Sequence, residues 1–412
     1  MLKNYFKIAI AVLRRRKFFT FISLFGISLT LTILIVLTSF LDHLLSSSYP
    51  DVNRDRELYV NVISLQSSKE FYTSNGPVSF HFIDQYLSKL KTPAKLAFST
   101  IFIPSNAYVN NKKVAINISC TNDQFWEVLQ FDFLEGRPYT KQQITNAEKV
   151  AVISADTKRN YFGDVPSVVG KYIEADNVQY RVIGVVKSVP VTNLFCYADM
   201  YLPYTLSKAD LHSKDLRGTF GAILLANSKS DIPKIKAEYA AMVSKLVSND
   251  KAFDRIYSFP DNYLTVFTRM AFGQGRKEGT GTFYTILGLV AFLFMLLPTL
   301  NLVNVNTSRI MERSSEIGVR KSFGASSKTL VYQFIVENMI LTFIGGAISV
   351  ILSLIILYFF NNSNLIANAH LSLNLTVLTY SMLACLFFGL LSGVYPAWRM
   401  SRMHVVAALK AQ

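Results

Sequence analysis

From Phe18 to Leu41 the chain runs for 24 residues without a charge, roughly 36 Å as a helix and enough to cross the hydrocarbon core of a bilayer. Glu278 and Arg309 bracket about 30 more uncharged residues, with Pro298 among them, placed to kink or loosen a helix. Between Glu337 and Arg399 no Lys, Arg, Asp or Glu occurs. A polar stretch, NNSNLIANAHLSLN, divides that run into spans at 338–360 and 375–395. With 18–41 and 282–308 these make four expected transmembrane helices. A cleaved signal peptide has a shorter apolar region and a small-residue cleavage site; neither is seen at Phe18–Leu41, so that helix is expected to be retained.

Charge placement orients the spans. The formal charge is +15 and the chain is 51% hydrophobic. Residues 1–17 carry +6, 309–337 carry +2 and the tail from Arg399 carries +3, leaving about +4 elsewhere. Basic charge that hugs the ends of apolar segments suits an anionic membrane surface, and no basic recognition motif appears elsewhere, so nucleic acid is not an expected partner. Residues 1–17 place Leu2, Phe6, Ile10 and Leu13 at helical spacing among lysines and arginines, an amphipathic helix at the cytoplasmic interface. Three short basic segments then fall on the cytoplasmic side with both termini, leaving 42–278 and the loop 361–374 on the other. The expected address is a multi-pass protein of the bacterial cytoplasmic membrane.

Residues 42–278 are long enough for a folded domain of their own. EKVAVIS (Glu148–Ser154) reads as a buried strand, and KYIEADNVQYRVIGVVKSV as a hairpin turning at Asp176–Asn177. NDQFWEVLQF (Asn122–Phe131) reads as a helix capped by Asn122 or Asp123, with Phe125, Val128 and Leu129 on one face. Phe125, Trp126 and Phe131 read as core, and Gly136 and Gly163 as turns. The fold class is thus an α-helical integral membrane protein with a large mixed α+β extracytoplasmic domain between the first and second spans.

The segment 309–337 between the second and third spans is the most ordered in its chemistry. Glu312, Glu316 and Arg320 recur every four residues and share a helix face, with Arg313, Ile317 and Lys321 in the adjacent row. Gly324 then ends the helix, and Ser326 or Ser327 caps the next. This E-R-x-x-E-I-G-x-R-K-x-x-G-A run, an amphipathic helix ending in Glu337 and the Gly345–Gly346 pair resemble the MacB/FtsX-type ABC transporter permeases. FWEVLQFDFLEGRPYT, KVAVIS, NYFGDVPSVVGKYI and YRVIGVV follow, in order, the extracytoplasmic domain of that family. SGVYPAWRMSRMHVVAALK resembles its C-terminal pattern, departing at Val405, where proline is usual, and Ala407, where glutamate is usual.

The resemblance implies a permease subunit that moves its extracytoplasmic domain to export or extract a peptide, antibiotic, lipoprotein or lipid. It implies coupling to a separate cytoplasmic ABC ATPase through Glu312, Arg313, Glu316, Ile317, Gly318, Arg320, Lys321, Gly324 and Ala325. Ile317 would be the apolar plug, and Gly318 and Gly324 would permit close approach and the turn. It further implies a dimer, of two copies or with a similar sibling, with a periplasmic adaptor or outer-membrane protein as a further partner. ATP and Mg enter through the ATPase, and no cofactor is expected on this chain.

Enzyme chemistry fares poorly. The five histidines are scattered, no H-E-x-x-H or G-x-S-x-G occurs, and GASSKT (Gly324–Thr329) lacks the second glycine of a phosphate loop and follows no strand. The chain is not expected to be an enzyme. Two rival readings share the architecture: a regulator of extracytoplasmic cell-wall hydrolases, and a membrane-anchored sensor without an ATPase. Cys120 and Cys196 share the oxidising side, and their pairing is left open by the sequence.

Overall fold

Alternation of buried residues along the middle of the chain is realised as one large mixed sheet with a core on each face. The computed structural model describes residues 10–11, 13–15, 17–69, 72–109, 112–273, 277–312, 327–363, 365–376, 378–383, 386–387, 390–391 and 394. It divides into an inserted unit, Leu44–Tyr284 with Ile366–Ala369, and a helical unit, Met1–His43 with Thr285–Leu365 and His370–Gln412.

The strands of the inserted unit are β1 (Glu57–Val60), β2 (Ile63–Gln66), β3 (Thr73–Gly76), β4 (Lys95–Thr100), β5 (Ile103–Val109), β6 (Lys112–Thr121), β7 (Phe133–Gly136), β8 (Val150–Ser154), β9 (Tyr172–Ala175), β10 (Val178–Val186), β11 (Met200–Pro203), β12 (Phe220–Leu225) and β13 (Arg255–Ser258). The large sheet runs β1-β12-β4-β6-β11-β8-β10-β7, with β5 added on β6 and β9 on β10. β8 and β10 are parallel and are connected through the helix Ala155–Phe162 and then β9; β6 and β11 are also parallel. A small antiparallel sheet, β13-β2-β3, stands apart.

Period-2 alternation distributes side chains to the cores. On β8, Val150 and Val152 join one cluster with Phe125, Trp126 and Tyr201, whereas Ala151 and Ile153 join another with Ile173, Val182 and Met200. On β1 and β12, Leu58, Val60, Phe220, Ala222 and Leu224 point into a third core with Phe82, Ile235 and Tyr239, while Tyr59, Ile223 and Leu225 face the first. β10 carries a register shift between Val182 and Gly184, and the extra residue re-phases Val185 and Val186.

The expected hairpin is present: Ala175 pairs Val178, and Asp176 and Asn177 both have positive φ, 50° and 61°, as a two-residue type I′ turn demands. The expected strand at 148–154 is β8. The expected helix at Asn122–Phe131 is only a single turn, Phe125–Val128, with Leu129 already extended. Asn122 Oδ1 does accept from Phe125 N at 3.1 Å. The same oxygen accepts from Phe98 N, and Gln130 N donates to Pro50 O, so tertiary bonds divert the backbone before a second turn forms.

Gly136 and Gly163 occupy left-handed backbone, φ 66° and 73°. At Gly136 a Cβ would stand 2.0 Å from Ile183 O. Cys120 and Cys196 are both free and buried, each in a different core, so they do not pair.

In the helical unit the helices Lys17–Leu45, Thr280–Glu312 and Ser327–Asn362 meet around Ile27, Leu31, Leu34, Met295, Ile340 and Leu341. The second of these runs continuously across Pro298. The first buries Ser23, Ser28, Thr32 and Ser39 and exposes Phe18, Phe21, Phe25, Leu29 and Ile33. Small polar groups inward and large apolar groups outward is the arrangement suited to lipid rather than water. Gly345 permits close approach, since a Cβ there would stand 2.7 Å from Ile27 Cγ2, and Gly346 lies against Met382. Among the described residues, Lys17–Leu45 and Ile335–Asn362 are long and apolar enough to cross a membrane, and Thr280–Leu296 is a shorter apolar helix. Most of the N-terminal segment 1–17, and the tail from Ser392 apart from Val394, lie outside the described residues.

Candidate functional site

Of the expected coupling residues, Glu312 is the last residue of the helix Thr280–Glu312. Arg313, Glu316, Ile317, Gly318, Arg320, Lys321, Gly324 and Ala325 lie outside the described residues. The site that the inserted unit does display is a buried group of ions where the chain enters and leaves it.

Arg54 is 6% exposed and spends its guanidinium on four acceptors. Nε donates to Asp51 Oδ2 at 2.8 Å, Nη2 to Asn193 Oδ1 at 3.0 Å, and Nη1 to the carbonyls of Ser46 at 2.6 Å and Leu44 at 3.4 Å. Those carbonyls stand at the C-terminal end of the helix Lys17–Leu45, where a cation meets the negative end of the helix dipole. The guanidinium carbon lies 3.7 Å from the Tyr263 ring centroid. Arg54 therefore joins the entering segment to the first residue of the helix Tyr263–Phe272, the last helix before the chain leaves.

Beside it three buried oxygens converge. Tyr59 Oη lies 2.6 Å from Asp51 Oδ2 and 2.8 Å from Glu57 Oε2, and Tyr59, Asp51 and Glu57 are all at most 1% exposed. A phenol has one proton, so two such bonds need a second, and a carboxyl must supply it. Burial pushes Glu57 far above the usual carboxylate range, and the neighbouring Asp51 raises it further. Glu57 is thus the acid, and one cation faces one anion. A third uncompensated charge here would be costly.

A second pair closes the exit. Arg269 donates from Nε to Asp261 Oδ2 and from Nη2 to Oδ1 at 3.0 Å, and its guanidinium carbon is 4.1 Å from the Phe259 ring centroid. Asp261 and Tyr59 exchange backbone bonds, Tyr59 N to Asp261 O at 2.7 Å and Asp261 N to Tyr59 O at 3.0 Å. Beyond it, Thr268 and Thr280 hydroxyls stand 3.1 Å apart, and a Cβ on Gly279 would lie 2.0 Å from Thr268 O. Sequence reasoning passed over this cluster. Its signal is slight: D-x-x-R-x-x-E at Asp51–Glu57, and one arginine inside the otherwise uncharged YLTVFTRMAF.

Glu57 gives an inverted pH dependence. Its proton is held more tightly folded than unfolded, so its contribution is complete below the unfolded value of about 4.3 and declines as pH rises through neutrality. The slope reaches about 1.4 kcal/mol per pH unit at most. Glu57→Gln, which keeps the neutral shape, is expected to be stabilised relative to the parent at pH 8 more than at pH 5. Thermal unfolding of the full chain at both values reads this, and parallel pH profiles would refute it.

Among the described residues no group of three His, Cys, Asp or Glu is placed to hold a metal. Residues 20–277 match the MacB-like periplasmic core domain, and residues 288–405 match the FtsX-like permease C-terminal domain. This chain belongs to the MacB/FtsX family of ABC transporter permeases. The permease is 24% identical to the uncharacterized ABC transporter permease YknZ of Bacillus subtilis over 308 residues, 74% of this chain and 72% of the relative. It is 24% identical to the macrolide export ATP-binding/permease protein MacB of Salmonella choleraesuis, covering 73% of this chain and 44% of the relative. It is 26% identical to the pyoverdine export ATP-binding/permease protein PvdT of Pseudomonas aeruginosa, covering 71% and 42%. The match thus spans less than half the full length of the relatives named for both ATP binding and permeation. Among solved structures, a domain of a putative permease from Porphyromonas gingivalis superposes with a TM-score of 0.42 at 16% identity, covering 52% of this chain and 92% of that one. The extracellular domain of YknZ gives 0.37 at 16% identity, covering 49% and 99%.

Proposed function

We propose that this permease has four transmembrane helices, both termini in the cytoplasm, and couples ATP hydrolysis by a separate ATPase subunit to movement of the inserted unit. The observation that carries the reading is the order of the two family matches, a periplasmic core domain at 20–277 followed by an FtsX-like permease domain at 288–405. The loop between the last two spans supports the topology: Ile366–Ala369 groups with the inserted unit, and Asn368 donates to Asp156 Oδ2 at 2.7 Å. The segment 309–337 then falls on the opposite side, where an ATPase would act. Glu312, Arg313, Glu316, Arg320 and Lys321 make its polar contacts there and Ile317 its apolar one. ATP and Mg belong to the ATPase, and two permease chains enclose the pathway. The work done on the helices reaches the inserted unit through the entry and exit segments that Arg54 and Arg269 hold. The substrate class that the family resemblance implies is a peptide, antibiotic, lipoprotein or lipid, and two relatives are named for macrolide and pyoverdine export.

Mild-detergent purification of the tagged chain, with mass spectrometry of what accompanies it, tests this. An ABC ATPase is expected to co-purify and to be lost, tenfold or more, with Glu316→Lys or Ile317→Asp while the chain still inserts. A chain that purifies without an ATPase in several detergents would shift the reading to the anchored sensor.

A further inference from the structure

Away from the ion cluster, the inserted unit holds a cavity of about 150 Å³ among the β5–β6 hairpin, the β9–β10 turn and the chain that follows β11. Ile103, Ile118, Leu202 and Leu206 wall it, and Cys120 lies among them. Cys120 behaves as part of an apolar wall: burial pushes its thiol up to about 12, so it stays protonated.

Two polar features border the cavity. Ser207 is a lining residue, and its Oγ is buried with no hydrogen-bond partner among the described residues, an unmade bond that a ligand atom could supply. On the lining, Asp176 accepts from Ser105 Oγ at 2.6 Å and from Lys208 Nζ at 2.7 Å, with Lys208 three-quarters exposed. An ion pair so exposed contributes little to stability. Asp176 sits there because the turn it makes with Asn177 requires left-handed backbone, which fixes the carboxylate beside the cavity.

We infer that this cavity binds the apolar end of a small amphiphile. One phenol-sized or branched-alkyl group enters between Ile118, Leu202 and Leu206, its hydrogen-bonding atom meets Ser207 Oγ, and its polar head stays at Asp176 and Lys208. An apolar cavity of about this volume accommodates a benzene-sized molecule, which sets the size of the buried part. The inference rests on the inserted unit alone. Its test uses no nucleotide, so its failure and that of the ATPase reading are distinguishable.

The probe is 4-methylphenol, and the reporter is thermal unfolding followed by Trp126 fluorescence in the full chain carrying Trp398→Phe. The unfolding midpoint is expected to rise saturably as 4-methylphenol is added, as for a ligand that only the folded state binds. Ser207→Ala is expected to raise the half-saturating concentration about fivefold, the effect of one neutral hydrogen bond of about 1 kcal/mol. Leu206→Phe, which fills the cavity, is expected to abolish the rise, and Ala209→Leu, which narrows it, to weaken it, each judged only with Trp126 fluorescence of the folded chain unchanged. A midpoint that 4-methylphenol leaves unaffected, or raises equally in parent, Ser207→Ala and cavity-filled chains, would overturn the inference.

Discussion

Arg54→Ala is expected to destabilise the inserted unit by about 3–5 kcal/mol, the cost of leaving a buried charge without its partner. Asp51 is 1% exposed, and no other cation is bonded to it among the described residues. The carbonyls of Ser46 and Leu44 lose their donor as well. Lysine should rescue only in part, because a single ammonium cannot reach Asp51, Asn193 and Ser46 together as the planar fork does. Asp51→Asn combined with Arg54→Met should recover more than Arg54→Ala alone, since removing both charges removes the desolvation cost. The readout is unfolding of the full chain followed by Trp126 fluorescence. The chain has two tryptophans, and Trp398→Phe leaves Trp126 as the reporter. An Arg54→Ala chain that unfolds within 1 kcal/mol of the parent would show that the cluster is incidental.

Gly136→Ala is the second large effect, expected to cost about 2–6 kcal/mol. Left-handed backbone in a non-glycine residue costs about 1–3 kcal/mol, and forced overpacking a further 1–3. At Gly136 both apply, because φ is 66° and the added Cβ would lie 2.0 Å from Ile183 O. That oxygen also accepts from Arg137 N at 3.1 Å, so moving it loosens β7 from β10. Gly163→Ala separates the two causes: φ is 73°, yet nothing lies within 4 Å of a Cβ there. Equal losses at both positions would show that backbone conformation alone sets the cost.

What the sequence disclosed followed from local physics. Asp176–Asn177 announced a hairpin because the turn chemistry is contained in two residues, and Val150–Ser154 announced a buried strand because a β-branched run suits no other surface. Apolar stretches without charge disclosed helices for the same reason. The over-long helix at Asn122–Phe131 shows the limit: Phe125, Val128 and Leu129 are equally consistent with a turn followed by extended chain, and the bonds to Phe98 and Pro50 that decide between them come from distant segments. The ion cluster was hidden more deeply. Asp51, Arg54 and Glu57 lie about two hundred residues from Asp261 and Arg269 in sequence, and the Tyr59–Asp261 backbone pair and the stacking of Arg54 on Tyr263 bring the two segments together. Core packing of β1 beside β12 and β4 was illegible on the same ground. Glu316 and Arg320 stood out by their four-residue spacing, and Ile317 by the family resemblance, as expected coupling residues, and all three lie outside the described residues.

The backbone exchange between Tyr59 and Asp261 makes the inserted unit a closed loop of chain whose two ends are already fastened to each other. A cassette of that kind can be lifted from one host and set into another at its two chain junctions, provided that the loop Ile366–Ala369, whose Asn368 bonds Asp156, travels with it. Diversification of what such permeases handle can then proceed by exchange of whole cassettes, while the membrane helices keep one constant design.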